Sequence, residues 1–422
     1  MKNKLSVFFM FMLLHHNVSA QFKNILIDSI DNPNEVSIAI DFNSPNFLVA
    51  GANLNNLYTS SDTGKTWANQ TLTSKYSVYG DPCIINDYKG NFYFFHLADY
   101  KNGTWIDRIV AQKSSNKGKI WNLDTYMGKN GIKVQDKEWA AVDRQNGNIY
   151  VTWTQFDKYE SKLPTDKSLI LFSRSSNEGK TWTSPRVLST YAGDCLDNDS
   201  TVEGAVPCVG INGEINVAWA GPKGLVFNQS KDQGESWLPQ EKVVCDIPDG
   251  WTYDIDSIYR CNGLPITTCD NSNGQNRGTI YINWSDQRNG KNNTDVWLVK
   301  SIDSGITWSK PYKVNNDTTN NQQFMSWFTI DQSNGRLYCL FYDRRNYNDA
   351  QTDVYLAYSD NGGESFTNIK INENPFLPSK DIFFGDYINI VAHNNIVRPI
   401  WMSLHNNKMA VWTALIDGRK LK

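Results

Sequence analysis

Carboxylates, arginines and aromatic side chains recur near the ends of strand-like runs in this 422-residue chain. Asp81, Glu138, Glu203, Arg260 and Asp386 each stand just before or at the start of such a run. Asp157, Asp286, Arg288, Asp343, Arg344 and Arg345 stand in a second set of loops. Trp139, Trp251, Tyr253, Tyr259, Trp327 and Tyr387 lie among them. If one face collects these groups, carboxyl acid/base pairs, guanidinium forks and flat rings would meet there, which is what a polar and perhaps acidic sugar requires. Glu138 and Glu203 are the candidate acid and base. Arg260, Arg288 and Arg345 are the candidate anion holders, with Asp81, Asp386, Trp139, Tyr259, Trp327 and Tyr387 completing the substrate contacts. A second reading makes the Asp-x-Arg of Asp286–Arg288 and its echo in Asp343–Arg345 scaffold salt bridges, since the pattern recurs at equivalent positions.

Other chemistries find little support. After residue 20 the only histidines are His96, His393 and His405, and no HExxH, triad or CxxC spacing occurs. Asp194, Asp197 and Asp199 would be the oxygen ligands of a calcium ion, but they lack the regular spacing and glycine of a known calcium loop. No cofactor is therefore expected, with calcium the one metal considered. Lys+Arg total 41 against 44 Asp+Glu, a net charge of -3, which argues against nucleic acid and against a polybasic membrane surface.

The address precedes the fold. Lys2 and Lys4, the apolar run Leu5–Leu14 and Val18-Ser19-Ala20 before Gln21 form a secretory signal over residues 1–20. The run is too short to span a bilayer, which takes about 20 residues of helix. A secreted monomer comprising residues 21–422 is expected. Seven cysteines follow the signal. Cys195/Cys208 and Cys261/Cys269 are near neighbours that export would permit to pair, Cys245 competes for Cys261, and Cys83 and Cys339 sit inside strand-like runs as buried thiols. Asn69-Gln-Thr71 and Asn102-Gly-Thr104 are glycosylation acceptors.

The elements that must position these residues are visible through a repeat. An octapeptide occurs six times: Ser60–Trp67, Ser114–Trp121, Ser175–Trp182, Ser230–Trp237, Ser301–Trp308 and Ser359–Phe366. Its closing aromatics are spaced 54, 61, 55, 71 and 58 residues apart. Asp62, Asn116, Asn177, Asp232, Asp303 and Asn361 cap the turn through their side chains, and a glycine two residues on takes a conformation closed to other residues. The hydroxyls tie the loop to itself, and the aromatic drops into the core.

The octapeptide resembles the Asp-box, or bacterial neuraminidase repeat, S-x-D-x-G-x-T-W, found in the sialidase-like superfamily. The resemblance implies an all-β propeller with the box at the turn between the third and fourth strands of each blade, opposite the active face. Between boxes the same strand order recurs, with first strands at 35–41, 82–87, 138–143, 205–211, 264–269 and 326–331. A boxless set follows at 387–392, 397–402 and 409–416, and Asn24–Asp28 would supply its missing strand. The expectation is one domain of seven blades closed by the N-terminal strand, with six blades as the alternative.

The resemblance also implies glycan chemistry of the exo-sialidase type, which needs three arginines, a tyrosine nucleophile and an acid/base carboxylate. This sequence departs from that pattern: no Arg precedes Arg108, so the F/Y-R-I-P motif ahead of the first box is missing. The nearest lookalike, Tyr259-Arg260 with Pro265, falls after the fourth box. Two functional expectations therefore stand: a secreted glycoside hydrolase of glycans or glycoproteins, or a non-catalytic propeller that binds glycan or protein as a scaffold.

Overall fold

The computed structural model describes residues 22–99 and 105–421. Residues 1–20, expected to be a secretory signal, and the expected Asn102 acceptor lie outside the described residues. The chain forms seven antiparallel four-stranded sheets and a small hairpin, Thr252–Tyr253 with Cys261–Asn262. Among the described residues the one helical piece is a 3₁₀ turn, Gly418–Lys420. Among the described residues no helix is long and apolar enough to cross a membrane.

The sheets are blades of a closed ring. The innermost strands, in chain order, are Ser37–Ile40, Gly80–Asn86, Val134–Val142, Glu203–Val209, Ile266–Cys269, Gln323–Asp331 and Asn389–His393. Each packs on the next, and the last returns to the first. Lys23–Asp28 pairs with Lys408–Asp417 in the seventh blade, with Asn24 opposite Ala414 and Leu26 opposite Trp412. That pairing closes the ring with both ends of the chain, and the six-blade alternative does not hold.

The six octapeptide turns share one geometry. In every copy the serine hydroxyl accepts the amide of the glycine four residues on, at 2.8–3.0 Å. In the first, Asp62 Oδ1 accepts the Thr66 amide at 3.0 Å and Oδ2 the Thr66 hydroxyl at 2.7 Å. The glycine has φ between +77° and +89° in all six. The closing aromatics are half-buried, because they wedge onto a neighbouring blade: Trp182 meets Phe95, Trp237 meets Phe172 and Trp308 meets Phe227. The turn is thus an inter-blade clamp, with its ring at the blade boundary and not deep within one sheet.

All seven cysteines are free, so neither nearest-neighbour pair forms a disulfide. Cys83, Cys195, Cys261, Cys269 and Cys339 are buried. A core of this size needs no covalent staple.

Candidate functional site

Six of the seven blades start their innermost strand with a left-handed residue. These are Glu35 (φ 49°), Asp81 (φ 51°), Lys137 (φ 52°), Gly204 (φ 74°), Met325 (φ 47°) and Gly385 (φ 90°). In four blades this coincides with a slip in strand pairing, between Gly80 and Cys83, Asp136 and Trp139, Glu203 and Val206, and Phe324 and Trp327. A bulge breaks the in-out alternation of a strand and re-aims its side chains. Repeated around a ring, it turns polar groups from every blade towards one mouth, at a cost of about 1–2 kcal/mol for each non-glycine residue held left-handed.

Lys137 stands at the centre of this mouth. Its Nζ lies 2.9 Å from Asp386 Oδ2, 3.5 Å from Asp81 Oδ2 and 4.0 Å from Glu35 Oε1, so it joins the third blade to the seventh, second and first. The Thr252–Asn262 hairpin lowers Arg260 onto the same Asp386, with Nε 2.8 Å from Oδ1 and Nη2 paired with Oδ2. Arg260 Nη1 reaches Asp197 at 3.4 Å, and the Tyr159 hydroxyl donates to Asp197 at 2.7 Å. Asn53 donates to Glu35 and accepts the Asp81 amide at 2.7 Å.

Seven carboxyls (Glu35, Asp81, Asp136, Glu138, Asp197, Glu203 and Asp386) therefore meet two cations, and the imbalance sets their protonation. Burial and then Asp81 raise Glu35 and Glu138 well above the usual carboxylate range. Burial and then Asp197 do the same to Glu203. For Asp136, burial together with Asp81 and Asp197 outweighs Lys137 and lifts the carboxyl to about 7. Asp386 is the opposite case: burial would raise it, but Lys137 and Arg260 hold it below the ordinary range. Both oxygens of Glu138 and Oε1 of Glu203 are buried without a hydrogen-bond partner, and Asp81 Oδ2 accepts no hydrogen bond despite its nearness to Lys137.

The structure brings together Asp81, Glu138, Glu203, Arg260 and Asp386. It separates the other two arginines from them. Arg288 grips Asp286 at 2.6 Å and lies over the rings of Trp297 and Trp284. Arg345 grips Asp343 at 2.6 Å, bonds Asn316 and Asn368, and covers Tyr355. Both guanidiniums are thus engaged within the scaffold.

The aromatic residues also need correction as a binding platform. Trp139 packs on Trp327 (centroids 4.5 Å apart) and on Tyr387 (5.0 Å), and all three are buried. Trp139 and Trp327 follow the bulges in their blades and Tyr387 follows the left-handed Gly385, and together they plug the channel beneath the mouth, where apolar area is removed from water. Trp251 and Tyr253 are buried as well. Only Tyr259 remains at the rim, 58% exposed, edge-on to Phe383 at 5.8 Å; Arg260 lies 5.0 Å over the same Phe383 ring.

The acidic loop is distributed among separate duties. Asp194 accepts from Thr201, Asp199 accepts the Thr252 amide, and Asp197 joins the mouth. Among the described residues no group of three His, Cys, Asp or Glu is arranged to hold a metal ion.

Sequence reasoning missed Glu35, Asp136 and Lys137. Its one available signal was Asp136-Lys137-Glu138-Trp139, three consecutive charges inside a strand otherwise built for burial.

Fold and mouth together define a seven-bladed β-propeller with a carboxyl-lined top face. No protein-family model matches the chain, and no curated protein matches it in sequence. Among solved structures it is similar to an ulvan lyase of the polysaccharide lyase family PL25, at 14% identity and TM-score 0.56, over 94% of this chain and 96% of that one. It is similar to a protein of unknown function from Dyadobacter fermentans DSM 18053, at 11% identity and TM-score 0.51, over 77% and 94%. It also aligns with the Hadza microbial sialidase Hz136, at 13% identity and TM-score 0.47, over 88% and 73%. What the ulvan lyase and the Dyadobacter protein share with this chain is the fold.

Proposed function

We propose that this chain is an exported, carbohydrate-active propeller that hydrolyses glycans by carboxyl acid/base chemistry at its top-face mouth. The observation that carries the reading is Asp136: a carboxyl at a strand bulge, beside Lys137 and facing a crowd of other carboxyls, whose proton is held up to about pH 7. A carboxylic acid that keeps its proton near neutrality is what protonation of a leaving sugar oxygen needs. Burial and then Asp197 favour the protonated form of Glu203; in hydrolysis one carboxyl protonates the leaving oxygen and a second takes a proton from the attacking water as the glycosidic C–O bond breaks. Tyr259 and Phe383 at the rim offer ring faces to a sugar.

The charge balance refines the substrate class. Lys137 and Arg260 are already engaged by Asp386, Asp81 and Asp197, which leaves neither free for a further anion, so a neutral or amino sugar suits the mouth better than sialic acid. An exo-sialidase version would need an arginine clamp, whereas Arg260 is the single arginine gathered here and Asp386 and Asp197 already hold it.

One observation favours the second reading, a propeller that binds without turnover: Glu138 and Glu203 are each only 1% exposed. Residues 21–422, incubated with neutral, amino and acidic oligosaccharides and followed by reducing-end release, separate the two. Hydrolysis predicts release from a neutral or amino glycan, lost by about 100-fold or more in Asp136→Asn and Glu203→Gln. Unchanged turnover in both variants would overturn the assignment, and retention on a glycan array with no release would establish the binding reading.

A further inference from the structure

The channel beneath the aromatic plug is a separate cavity of about 510 Å³, and all seven innermost strands line it. Trp139 and Trp327 border it as well as the small space under the mouth, so they divide the acidic top from this lower chamber. Its lining mixes the partly exposed aliphatic side chains of Ile85, Val142, Val209 and Val391 with polar Thr268, Thr329 and Asn271. Each wall strand is also the free edge of its blade, and so presents backbone donors and acceptors inward.

The lower rim carries two arginines set among the aspartates that end the inner strands. Arg144 and Arg277 both border the cavity, both are exposed, and neither makes an ion pair among the described residues. The Arg144 guanidinium sits 3.3 Å above the Phe42 ring, with Nη2 3.4 Å from the Asn86 carbonyl. Arg277 donates from Nη1 to the carbonyls of Asn271 and Ser272, at 2.8 Å each, which anchors the side chain and leaves Nε and Nη2 unengaged. Most of the aspartates that end the strands are turned to other partners; Asp270, seven residues before Arg277, accepts the Ser272 amide on Oδ1 and leaves Oδ2 without a partner. Asp143 accepts from the Gln145 amide and Asn146, Asp87 from Asn91 and Tyr93, and Asp41 is paired with Lys117.

We infer that this lower chamber is a second binding site, for a small amphipathic organic anion whose apolar body enters the channel and whose carboxylate, sulfonate or phosphate group meets Arg144 and Arg277. A chamber of this volume falls within the range of ordinary ligand pockets, about 300–1,000 Å³. Two anchored guanidiniums without an ion-pair partner among the described residues, next to partly exposed aliphatic side chains, select for that pairing of features: a neutral lipid forfeits the charge-assisted hydrogen bonds, and a small hydrophilic anion forfeits the burial. The site is independent of the glycan reading, because it draws on no group of the upper mouth.

The probes are anilinonaphthalene sulfonate and dodecanoate, with dodecanol as the uncharged control. Residues 21–422 should bind the sulfonate saturably at one site per chain, and dodecanoate should displace it where dodecanol does not. The double variant R144A/R277A should weaken binding by about tenfold or more and flatten its salt dependence. Thr268→Trp, which fills the chamber, should abolish binding, and its melting curve shows whether the fold is intact. If that variant fails to fold, the double variant and the dodecanol control decide. Absence of saturable binding, equal displacement by dodecanol, or unchanged affinity in R144A/R277A would overturn the proposal. Glycan turnover should be the same in R144A/R277A as in the parent, so failure of one site leaves the other untouched.

Discussion

Lys137 Nζ lies 2.9 Å from Asp386 Oδ2 across the channel, in a contact between the third and seventh blades. The two residues are 249 positions apart (386 − 137), yet Lys137 reaches over from a strand bulge and Asp386 from the turn at left-handed Gly385 that leads into its innermost strand. Burial alone would lower the ammonium's affinity for its proton, but Asp386, then Asp81, Asp136 and Glu35 more than offset it.

Replacement of Lys137 by methionine should therefore be severe. It leaves Asp386 with Arg260 alone, and Glu35 and Asp81 without their cation. Breaking a buried pair by removing one partner costs about 3–5 kcal/mol. The urea midpoint of Lys137→Met should fall accordingly at pH 7.5 and recover partly at pH 5, where the carboxyls take up protons. An unchanged midpoint would show that Lys137 is not the keystone of the mouth.

Stability should also respond to pH with a sign opposite to that of an ordinary paired carboxylate. Asp136 moves from an unfolded value of 3.8 to about 7, so between these limits the native state binds more protons than the unfolded state. Stability then decreases as pH rises from about 4 to 7, by at most roughly 4 kcal/mol for a shift of this size and by less where neighbours share protons. Asp386, held low, acts the other way: its contribution is present above pH 4 and fades as pH drops further. Urea titrations of parent and Asp136→Asn from pH 4 to pH 8 test this, the variant being the flatter of the two.

Gly234 measures how tightly the octapeptide turns clamp the blades. Its φ is +89°, and a β-carbon there would stand 2.3 Å from Phe172 Cε1, in the core of the preceding blade. Gly131 has φ +61° but open space around it. Gly234→Ala should cost roughly 2–4 kcal/mol from overpacking and backbone strain together, and Gly131→Ala about 1 kcal/mol from strain alone. Equal thermal shifts in the two variants would contradict the clamp.

The thiols give a covalent check. All seven cysteines should titrate with a disulfide reagent in denaturant without prior reduction, and slowly in the native protein. Burial raises Cys83 above the ordinary thiol range, and raises Cys245, Cys261 and Cys269 to about 12, which suppresses the thiolate. A denatured count below seven would reveal a disulfide.

Much of the upper site was legible because Asp81, Glu138, Glu203, Arg260 and Asp386 all lie where a repeated chain must start its inner strands. Glu35, Asp136 and Lys137 lie there too, but alternation places successive residues on opposite faces, and only a bulge brings Asp136 and Lys137 into one mouth. The bulges before Trp139 and Trp327, and the left-handed Gly385 before Tyr387, turned these rings from prospective sugar platforms into a plug. For Arg288 and Arg345, the aspartate two residues earlier was a local signal of the scaffold pairing that the structure displays.

By itself the sequence determined the elements and their number. A turn written six times, each with its own hydroxyl, carboxyl or amide, and glycine, is stabilised by atoms within eight residues and needs no distant partner. The boxless seventh set and the strand after the signal followed from counting. Only the tertiary structure decided which charges meet. The field at Asp136 is the sum of groups from several blades, and whether a carboxyl there keeps its proton depends on distances and burial that no local pattern encodes.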